Sequence, residues 1–270
     1  ELAMCTTTDG ENLLPLVPDL TGAYSVTAGS DAENATKKDA SAAATYQSKY
    51  VKIVPAYPVW VGGEQFTSEK LTIAGDTGTA TYDPATNTLT LNGFSYTGEG
   101  YEYDPSGVCA AIYFNPADEN AELTIELVGT NTVIIDNSEC TSDVIYIANG
   151  NLIIEGNGSL TATGDTVIYA WGNISISGEN TSVIATGNYG IQTNGGDIDI
   201  DGGKVEANGF NNGIYADGNI SISGGEVRAT ATYEYGTGIY AAGPLTINGG
   251  IVTVKGSEAG IYVKNNITID

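Results

Sequence analysis

Short segments with alternating apolar and polar residues recur along the second half of the chain. In the shortest one, an Ile is followed by Tyr or Gln and then by a small or apolar residue. Its copies are VIYI at 144–147, VIYA at 167–170, GIQT at 190–193, GIYA at 213–216 and 238–241, and GIYV at 260–263. These copies lie 22 to 25 residues apart. Such a constant period indicates a structural repeat.

Two further apolar segments keep the same period. The first set is LII at 152–154, ISI at 174–176, IDI at 198–200, ISI at 220–222, LTI at 245–247 and ITI at 267–269. The second set is centred on Leu160, Val183, Val205, Val227 and Val252. Gly and Asn turns separate the segments, and no helical periodicity is visible. We therefore predict an all-β chain that forms a right-handed parallel β-helix, with three strands in each coil of 22–25 residues. Left-handed β-helices favour strict hexapeptides instead.

The N-terminal part of the chain has a different pattern. VWVGGEQFT at 59–67 and TATYDPATNTLTLNG at 79–93 contain alternating strands around turn residues, which is typical of β-hairpins. We predict a β-hairpin cap at 58–93 that covers the first open strand edge of a β-helix at 94–270. Residues 1–57 are predicted to form an N-terminal arm, either a short helix or a flexible segment.

Charge and composition exclude several classes of function. Nine Lys and Arg against 33 Asp and Glu give a net charge of −24, which argues against nucleic acid as a partner. The chain has no His, which excludes a Ser-His-Asp triad and a His-based zinc site. No apolar run approaches 18 residues, so no transmembrane segment is predicted. Of the three cysteines, Cys109 and Cys140 either pair, leaving Cys5 free, or all three are thiols.

The repeats GNISISGGEV at 218–227 and GIYAAGPLTINGGIVTV at 238–254 resemble a known family. It comprises β-helical carbohydrate-binding proteins on the surface of clostridia and other gut bacteria. The resemblance extends over residues 59–270. It implies a fold like that of pectate-type polysaccharide lyases, cellulose or pectic polymers as ligands, bound calcium, and an extracellular or cell-surface bacterial location. No family motif marks a particular sugar contact.

Alternation places the Ile of each four-residue copy inside and the following residue outside. The outer residues form a column, here called the tyrosine column: Tyr113, Tyr146, Tyr169, Tyr215, Tyr240 and Tyr262, interrupted at Gln192. Aromatic faces stack on the apolar faces of sugars, so Tyr146, Tyr169, Tyr215, Tyr240 and Tyr262 are predicted to bind a ligand. The alternative is a structural ladder of stacked rings. Exposed rings would favour the first interpretation and covered rings the second. Trp171, Tyr189, Phe210, Tyr233 and Tyr235 lie in turns that would widen the surface.

A second candidate is the acidic strip Asp197, Asp199 and Asp201, whose side chains alternate onto one outer face. Three carboxylates on one strand repel each other unless a cation bridges them, and oxygen ligands suit Ca²⁺. We predict a calcium site at Asp199 with one of the other two. The alternative is a solvated strip on a protein that is acidic throughout.

Catalysis finds little support in the sequence. Pectate-type lyases need a basic residue beside calcium-bridged uronate, and the repeats contain four basic residues: Lys204, Arg228, Lys255 and Lys264. We therefore predict a non-catalytic protein that binds plant or microbial polysaccharide. A structural or adhesive surface protein without a glycan ligand is the alternative, and a polysaccharide lyase is the second alternative. The sequence stops after ITI at 267–269, so we also expect either an end-to-end self-contact or a longer native chain.

Overall fold

The computed structural model describes residues 3–6, 24–29, 36–38, 50–136 and 142–270. Their regular structure is entirely β, in one large and mostly parallel sheet without helices, which confirms the all-β prediction. Cys140 lies outside the described residues, so the pairing with Cys109 stays a prediction. In the part of the chain that is described, no helix is long and apolar enough to cross a membrane.

The strands are numbered in chain order. Their bounds are β1 Ala3–Thr6, β2 Tyr24–Gly29, β3 Thr36–Lys38, β4 Tyr50–Val61, β5 Glu64–Thr67, β6 Thr72–Ala74, β7 Thr77–Asp83, β8 Thr88–Gly98, β9 Tyr101–Asp104, β10 Val108–Phe114, β11 Glu122–Val128, β12 Thr130–Ile135, β13 Ser142–Ile147, β14 Asn151–Gly156, β15 Ser159–Thr163, β16 Thr166–Ala170, β17 Ile174–Ile176, β18 Ser182–Thr193, β19 Ile198–Ile200, β20 Lys204–Ala216, β21 Ile220–Ile222, β22 Glu226–Ala231, β23 Thr237–Ala241, β24 Leu245–Ile247, β25 Ile251–Lys255, β26 Ala259–Val263 and β27 Ile267–Ile269.

Three parallel ladders contain the repeats. Ladder one joins β10, β13, β16, the second halves of β18 and β20, β23 and β26. Ladder two joins the first half of β8 to β11, β14, β17, β19, β21, β24 and β27. Ladder three joins the second half of β8 to β12, β15, the first halves of β18 and β20, β22 and β25. Each repeat of the sequence therefore adds one strand to every ladder.

The core follows the alternation of the sequence. Ile145, Ile168, Ile191, Ile214 and Ile239 are fully buried, and each pairs with its equivalent in the next strand. Ile261 continues this column but is partly exposed. The predicted inside and outside positions are thus confirmed along ladder one. Burial of aliphatic side chains at every level supplies the main stabilisation of the ladders.

Gly-Gly turns connect ladder two to ladder three. Gly203, Gly225 and Gly250 occupy equivalent turns and have φ values of 72°, 79° and 78°. This left-handed region disfavours residues with a Cβ. A Cβ on any of the three would also lie within 2.4–2.6 Å of a backbone oxygen in the preceding turn. The turns therefore require glycine both for conformation and for the close approach of successive repeats.

The chain divides into two compact units, residues 1–58 with 65–71, and residues 59–64 with 72–270. In the first unit, β4 pairs antiparallel with β1 and β2, and β2 pairs with β3. In the second unit, β6, β7 and β8 form an antiparallel meander. Antiparallel pairing of β10 with β9 and with Val59–Val61 completes the N-terminal side of ladder one. Other parts of the predicted N-terminal arm lie outside the described residues.

Candidate functional site

The tyrosine column follows ladder one, but its N-terminal segment is covered. Tyr113 holds the outward position of the column, in register with Tyr146, but it is only 7% exposed, so its predicted exposure to solvent is wrong. The ring of Tyr103, from β9, stacks on both Tyr113 and Tyr146, with ring centroids 5.1 and 4.5 Å apart. Trp60 and Tyr101 also pack against Tyr113, each with centroids 5.3 Å apart. Antiparallel pairing of β4 and β9 with β10 brings these extra aromatic residues over the column.

The C-terminal segment of the column is a stack of parallel rings. Tyr215 and Tyr240 lie 4.6 Å apart with 2° between their planes, and Tyr240 and Tyr262 lie 5.4 Å apart with 7° between theirs. These distances are close to the spacing of neighbouring strands. Each ring therefore turns its faces to the rings above and below and presents mainly its edge to solvent. A sugar cannot stack on a face that is already covered.

Gln192 interrupts the column and leaves two ring faces without an aromatic neighbour. Tyr169 pairs with Gln192, and Gln192 pairs with Tyr215, in consecutive strands. Among the described residues, the ring contacts of Tyr169 are with Tyr146 and Trp171, and that of Tyr215 is with Tyr240. Tyr169 and Tyr215 are two strand spacings apart, about 9–10 Å. Their facing sides have no aromatic neighbour among the described residues, and the side chain of Gln192 lies between them in register.

A second row of side chains runs beside this interruption. Trp171, Asn194 and Asp217 each follow a buried small residue of ladder one, in the register Ala170, Thr193 and Ala216. Because the preceding side chains point inward, these three point to the same side as the column. We call the combined set the central patch: Tyr169, Trp171, Gln192, Asn194, Tyr215 and Asp217.

Hydrogen bonds hold the central patch in place. Trp171 is 49% exposed, and its Nε1–H donates to the Tyr146 hydroxyl at 2.9 Å. Its ring meets Tyr169 edge-on, at 86°. The Tyr215 hydroxyl donates to Asp217 Oδ1 at 3.0 Å, and Asn194 forms a hydrogen bond with the Tyr169 hydroxyl. The patch thus combines a fixed indole, two ring faces, two amides and a carboxylate.

The tyrosines of the patch remain protonated hydrogen-bonding groups at neutral pH. Burial, together with the hydrogen bond to Asp217, raises the pKa of Tyr215 to about 12. Burial also raises the pKa of Tyr169. Neither hydroxyl can therefore act as a base near pH 7. Both hydroxyls are therefore available as hydrogen-bond donors at neutral pH.

The family of the chain is evident from comparison with known proteins. Residues 78–270, which contain the whole column and the central patch, match the model of the carbohydrate-binding domain-containing proteins. The chain belongs to this family. No curated protein and no solved structure matches it significantly. Membership of the carbohydrate-binding family supports a carbohydrate-binding role and agrees with the chemistry of the patch.

The acidic strip does not converge on one point. Asp197 belongs to a turn position whose side chain accepts a hydrogen bond from the backbone N–H of the equivalent residue in the next repeat. The N–H groups of Asn173, Asp197 and Asn219 donate in this way to the Oδ1 atoms of Asn151, Asn173 and Asp197, respectively, at 2.7–2.8 Å. Its second oxygen accepts from the Asn219 amide at 3.2 Å. Asp197 is thereby occupied as part of a turn.

The other two strip residues have different surroundings. Asp199 is half-buried, and burial together with the charges of Asp197 and Asp201 raises its pKa. Asp201 is exposed and accepts a hydrogen bond from Ser223. Among the described residues, no group of three His, Cys, Asp or Glu side chains is placed to hold a metal ion. The strip therefore does not fit a cage of three carboxylates.

Sequence reasoning missed a polar group behind the column. Tyr103 donates a hydrogen bond to Asp143 Oδ2 at 2.6 Å. Burial raises the pKa of Asp143 to about 6, against the opposing effect of hydrogen bonds from Tyr103 and Thr166. No repeat pattern indicates this contact, because β9 stands outside the repeats. Asn194 and Asp217 were also missed, although their position two residues after the column residue is a signal that the repeats contain.

Three of the aromatic residues that were predicted in turns form a separate group, although Phe210 lies within β20 and Tyr189, also predicted in a turn, lies within β18. Phe210, Tyr233 and Tyr235 contact one another, with centroids 5.0 Å apart for the first pair and 5.5 Å for the second. They have no ring contact with the column among the described residues, in contrast to Trp171. We call Phe210, Tyr233 and Tyr235 the corner cluster. The predicted aromatic residues are thus divided over several places on the molecule.

Proposed function

We propose that this chain is a non-catalytic protein, secreted or on the cell surface, that binds plant or microbial polysaccharide at the central patch. The observation that carries the proposal is the interruption at Gln192. It leaves one face each of Tyr169 and Tyr215 without an aromatic neighbour, on either side of the Gln192 amide and beside an exposed Trp171, within a chain of the carbohydrate-binding family. The predicted ligand contacts at Tyr169 and Tyr215 are retained in this proposal.

The patch has the chemical groups that a sugar needs. The C–H face of a pyranose ring is apolar and packs on aromatic faces, and its hydroxyls need hydrogen-bonding partners. Gln192 and Asn194 offer amide donors and acceptors, and Asp217 offers a carboxylate acceptor. These polar groups stand beside the rings, as is usual in sites where a few polar groups orient a ligand.

Charge favours a neutral polysaccharide over an anionic one. Asp217 lies in the patch, Asp197 lies in the turn that follows Asn194, and Asp199 lies on β19 of ladder two, in a chain of net charge −24. Uronate carboxylates would meet like charges there. We therefore expect neutral glucans, xylans or mannans to bind better than polygalacturonate.

The proposed architecture is a right-handed parallel β-helix. The three parallel ladders support it, because each repeat contributes one strand to each ladder at a regular step. In such a coil the central patch lies on the face formed by ladder one. A polymer bound there can extend past the patch on the side where Trp171 is exposed.

The stacked segments of the column favour a structural role for their own residues. Tyr215, Tyr240 and Tyr262 cover one another's faces, which stabilises neighbouring strands. A structural or adhesive surface protein without a glycan ligand is therefore the second candidate. It differs from our proposal in making the central patch dispensable.

Calcium has no part in the proposed binding. A calcium site at Asp199 with one of Asp197 and Asp201 stays a prediction from the sequence. Among the described residues, no group of three acidic side chains is placed to hold a metal ion, and Asp197 accepts a backbone N–H in a turn.

A glycan array tests the proposed function. Purified protein is applied to immobilised neutral and anionic polysaccharides, with and without a calcium chelator. We expect binding to a neutral polysaccharide, weakened about tenfold by Trp171→Ala, because an aromatic contact contributes about 0.5–1.5 kcal/mol beyond the area that it buries. Glu179→Ala, an exposed change in a turn outside the patch, serves as control. Full binding by Trp171→Ala, with the fold confirmed by circular dichroism, would refute the patch.

A further inference from the structure

An insertion distinguishes one corner of the repeats. Ladder three ends at Ala231 in β22, and ladder one resumes at Thr237 in β23. Their partners in the preceding repeat are Gly209 and Asn212. Five residues, 232–236, therefore stand where the preceding repeat has two, 210 and 211. The additional residues form a loop at the edge between two ladders.

The inserted corner is aromatic where the equivalent corners are polar. Other repeats have Asp165, Asn188 and Ser257–Glu258 at this place. Here Phe210 is 47% and Tyr235 is 64% exposed, with Tyr233 between them and in contact with both rings. Exposed aromatic groups that are not needed for the core commonly mark a binding surface.

The loop that carries the corner cluster is held by backbone hydrogen bonds. Tyr233 N–H donates to Phe210 O at 2.7 Å, and Gly236 N–H donates to Tyr233 O at 2.8 Å. Glu258 N–H, from the following repeat, donates to Gly236 O at 3.1 Å. A Cβ on Gly236 would lie 2.9 Å from both Ala231 Cβ and Tyr233 O, so the loop requires glycine there. The three rings are thus presented by an ordered backbone, which lowers the entropic cost of binding.

We infer that the corner cluster is a second sugar-binding surface, for the same class of neutral polysaccharide as the central patch. The ligand class rests on the proposed function. The cluster itself favours a neutral ligand, because Glu234 is the single charged residue in segments 209–212 and 231–237. Tyr235 stands at 72° to Tyr233, so their rings form two walls of an open angle against which a sugar can pack.

Two sites on one chain change how the protein binds a polymer. A long polysaccharide can engage both surfaces, and the second contact is then intramolecular. A short oligosaccharide fills each surface independently. Binding of polymers should therefore be tighter than binding of short fragments, and the stoichiometry for short fragments should be two per chain.

The test compares four proteins on the same array of immobilised polysaccharides, and by calorimetry with cellohexaose, xylohexaose and mannohexaose. They are the parent, Trp171→Ala, the double variant Phe210→Ala/Tyr235→Ala, and Glu179→Ala, a non-aromatic control at an exposed turn outside both surfaces. We expect each site variant to bind polymer at least tenfold more weakly and to bind one hexasaccharide instead of two. The control should bind as the parent does.

The possible outcomes separate the two proposals. If the double variant binds polymer as the parent does and Trp171→Ala loses binding, the corner cluster is not a binding site and the central patch is supported. Loss in the double variant alone would support the corner and refute the patch. A parent protein that binds no glycan refutes both. A parent that self-associates in sedimentation, and a double variant that does not, would show that the corner cluster is a protein contact instead.

Discussion

The two ends of the tyrosine column use the same residue in different ways. At the N-terminal end, Tyr113 is covered by Trp60, Tyr101 and Tyr103 and is part of a buried cluster. At the C-terminal end, Tyr262 is half exposed and stacks on Tyr240 alone. An outward position in a repeat thus decides neither burial nor availability to a ligand. The groups that pack against a ring decide whether it is buried and whether a ligand can reach it. Between the two ends, among the described residues, only the interruption at Gln192 leaves ring faces without an aromatic neighbour.

The largest expected difference between the two ends is in stability. Tyr113→Ala should lower the free energy of unfolding by about 3–5 kcal/mol, because it empties a site enclosed by other rings. Tyr262→Ala should lower it by about 1 kcal/mol or less, since the ring loses one stacking partner and is half solvated. Urea unfolding of both variants measures the contrast. Equal losses would mean that the covering aromatic residues do not shield Tyr113.

The N-terminal end should also contribute a pH dependence. Because burial raises the pKa of Asp143 to about 6, the folded protein holds this proton more tightly than the unfolded chain, whose Asp pKa is about 3.9. The stabilisation is full below about pH 4 and is lost as the pH rises through 6. The loss should be on the order of 2 kcal/mol.

Asp143→Asn tests that dependence. The amide oxygen can still accept the Tyr103 hydroxyl, but it carries no charge. We expect the variant to be more stable than the parent at pH 7 and similar to it at pH 4. Asp217→Asn, at an exposed position of the central patch, is the matched control and should leave the profile unchanged. If the difference in unfolding free energy between the parent and Asp143→Asn is the same at pH 4 and pH 7, the pH dependence does not come from Asp143.

The smallest expected effect concerns the acidic strip. If Asp199 and Asp201 take up calcium, millimolar calcium should raise the melting temperature of chelator-treated protein by about 1–3 °C, which corresponds to less than about 1 kcal/mol. Asp199→Asn should abolish the rise. An unchanged melting temperature in the parent would leave the strip as a solvated surface.

Much of the fold follows from the period of the sequence. The repeated Ile positions predicted a buried column, and five of its six members are fully buried. Alternation has this power because the side-chain period of a strand is two, so one anchored residue orients its neighbours. Ile261 is partly exposed because, among the described strands, β26 pairs with β23 on one side only.

The site was less predictable, for physical reasons. Alternation says that a tyrosine points outward, but it does not say how the ring plane is turned. The 2° angle between Tyr215 and Tyr240 results from packing between strands. The residues of β9 that cover Tyr113 could not be predicted from the repeats, because β9 pairs antiparallel with β10 and does not have the repeat pattern. Gln192 was visible in the sequence as an interruption, and its importance became apparent only once the neighbouring faces were known to be covered.

Gln192→Tyr tests the central claim most directly. A tyrosine at 192 would complete the column, stack between Tyr169 and Tyr215, and cover the two open faces. We predict a melting temperature equal to or above that of the parent, together with at least a tenfold loss of affinity for the neutral polysaccharide that the parent binds. Gln192→Ala, which keeps the interruption open, should lose much less. A folded Gln192→Tyr protein with undiminished affinity would contradict the account.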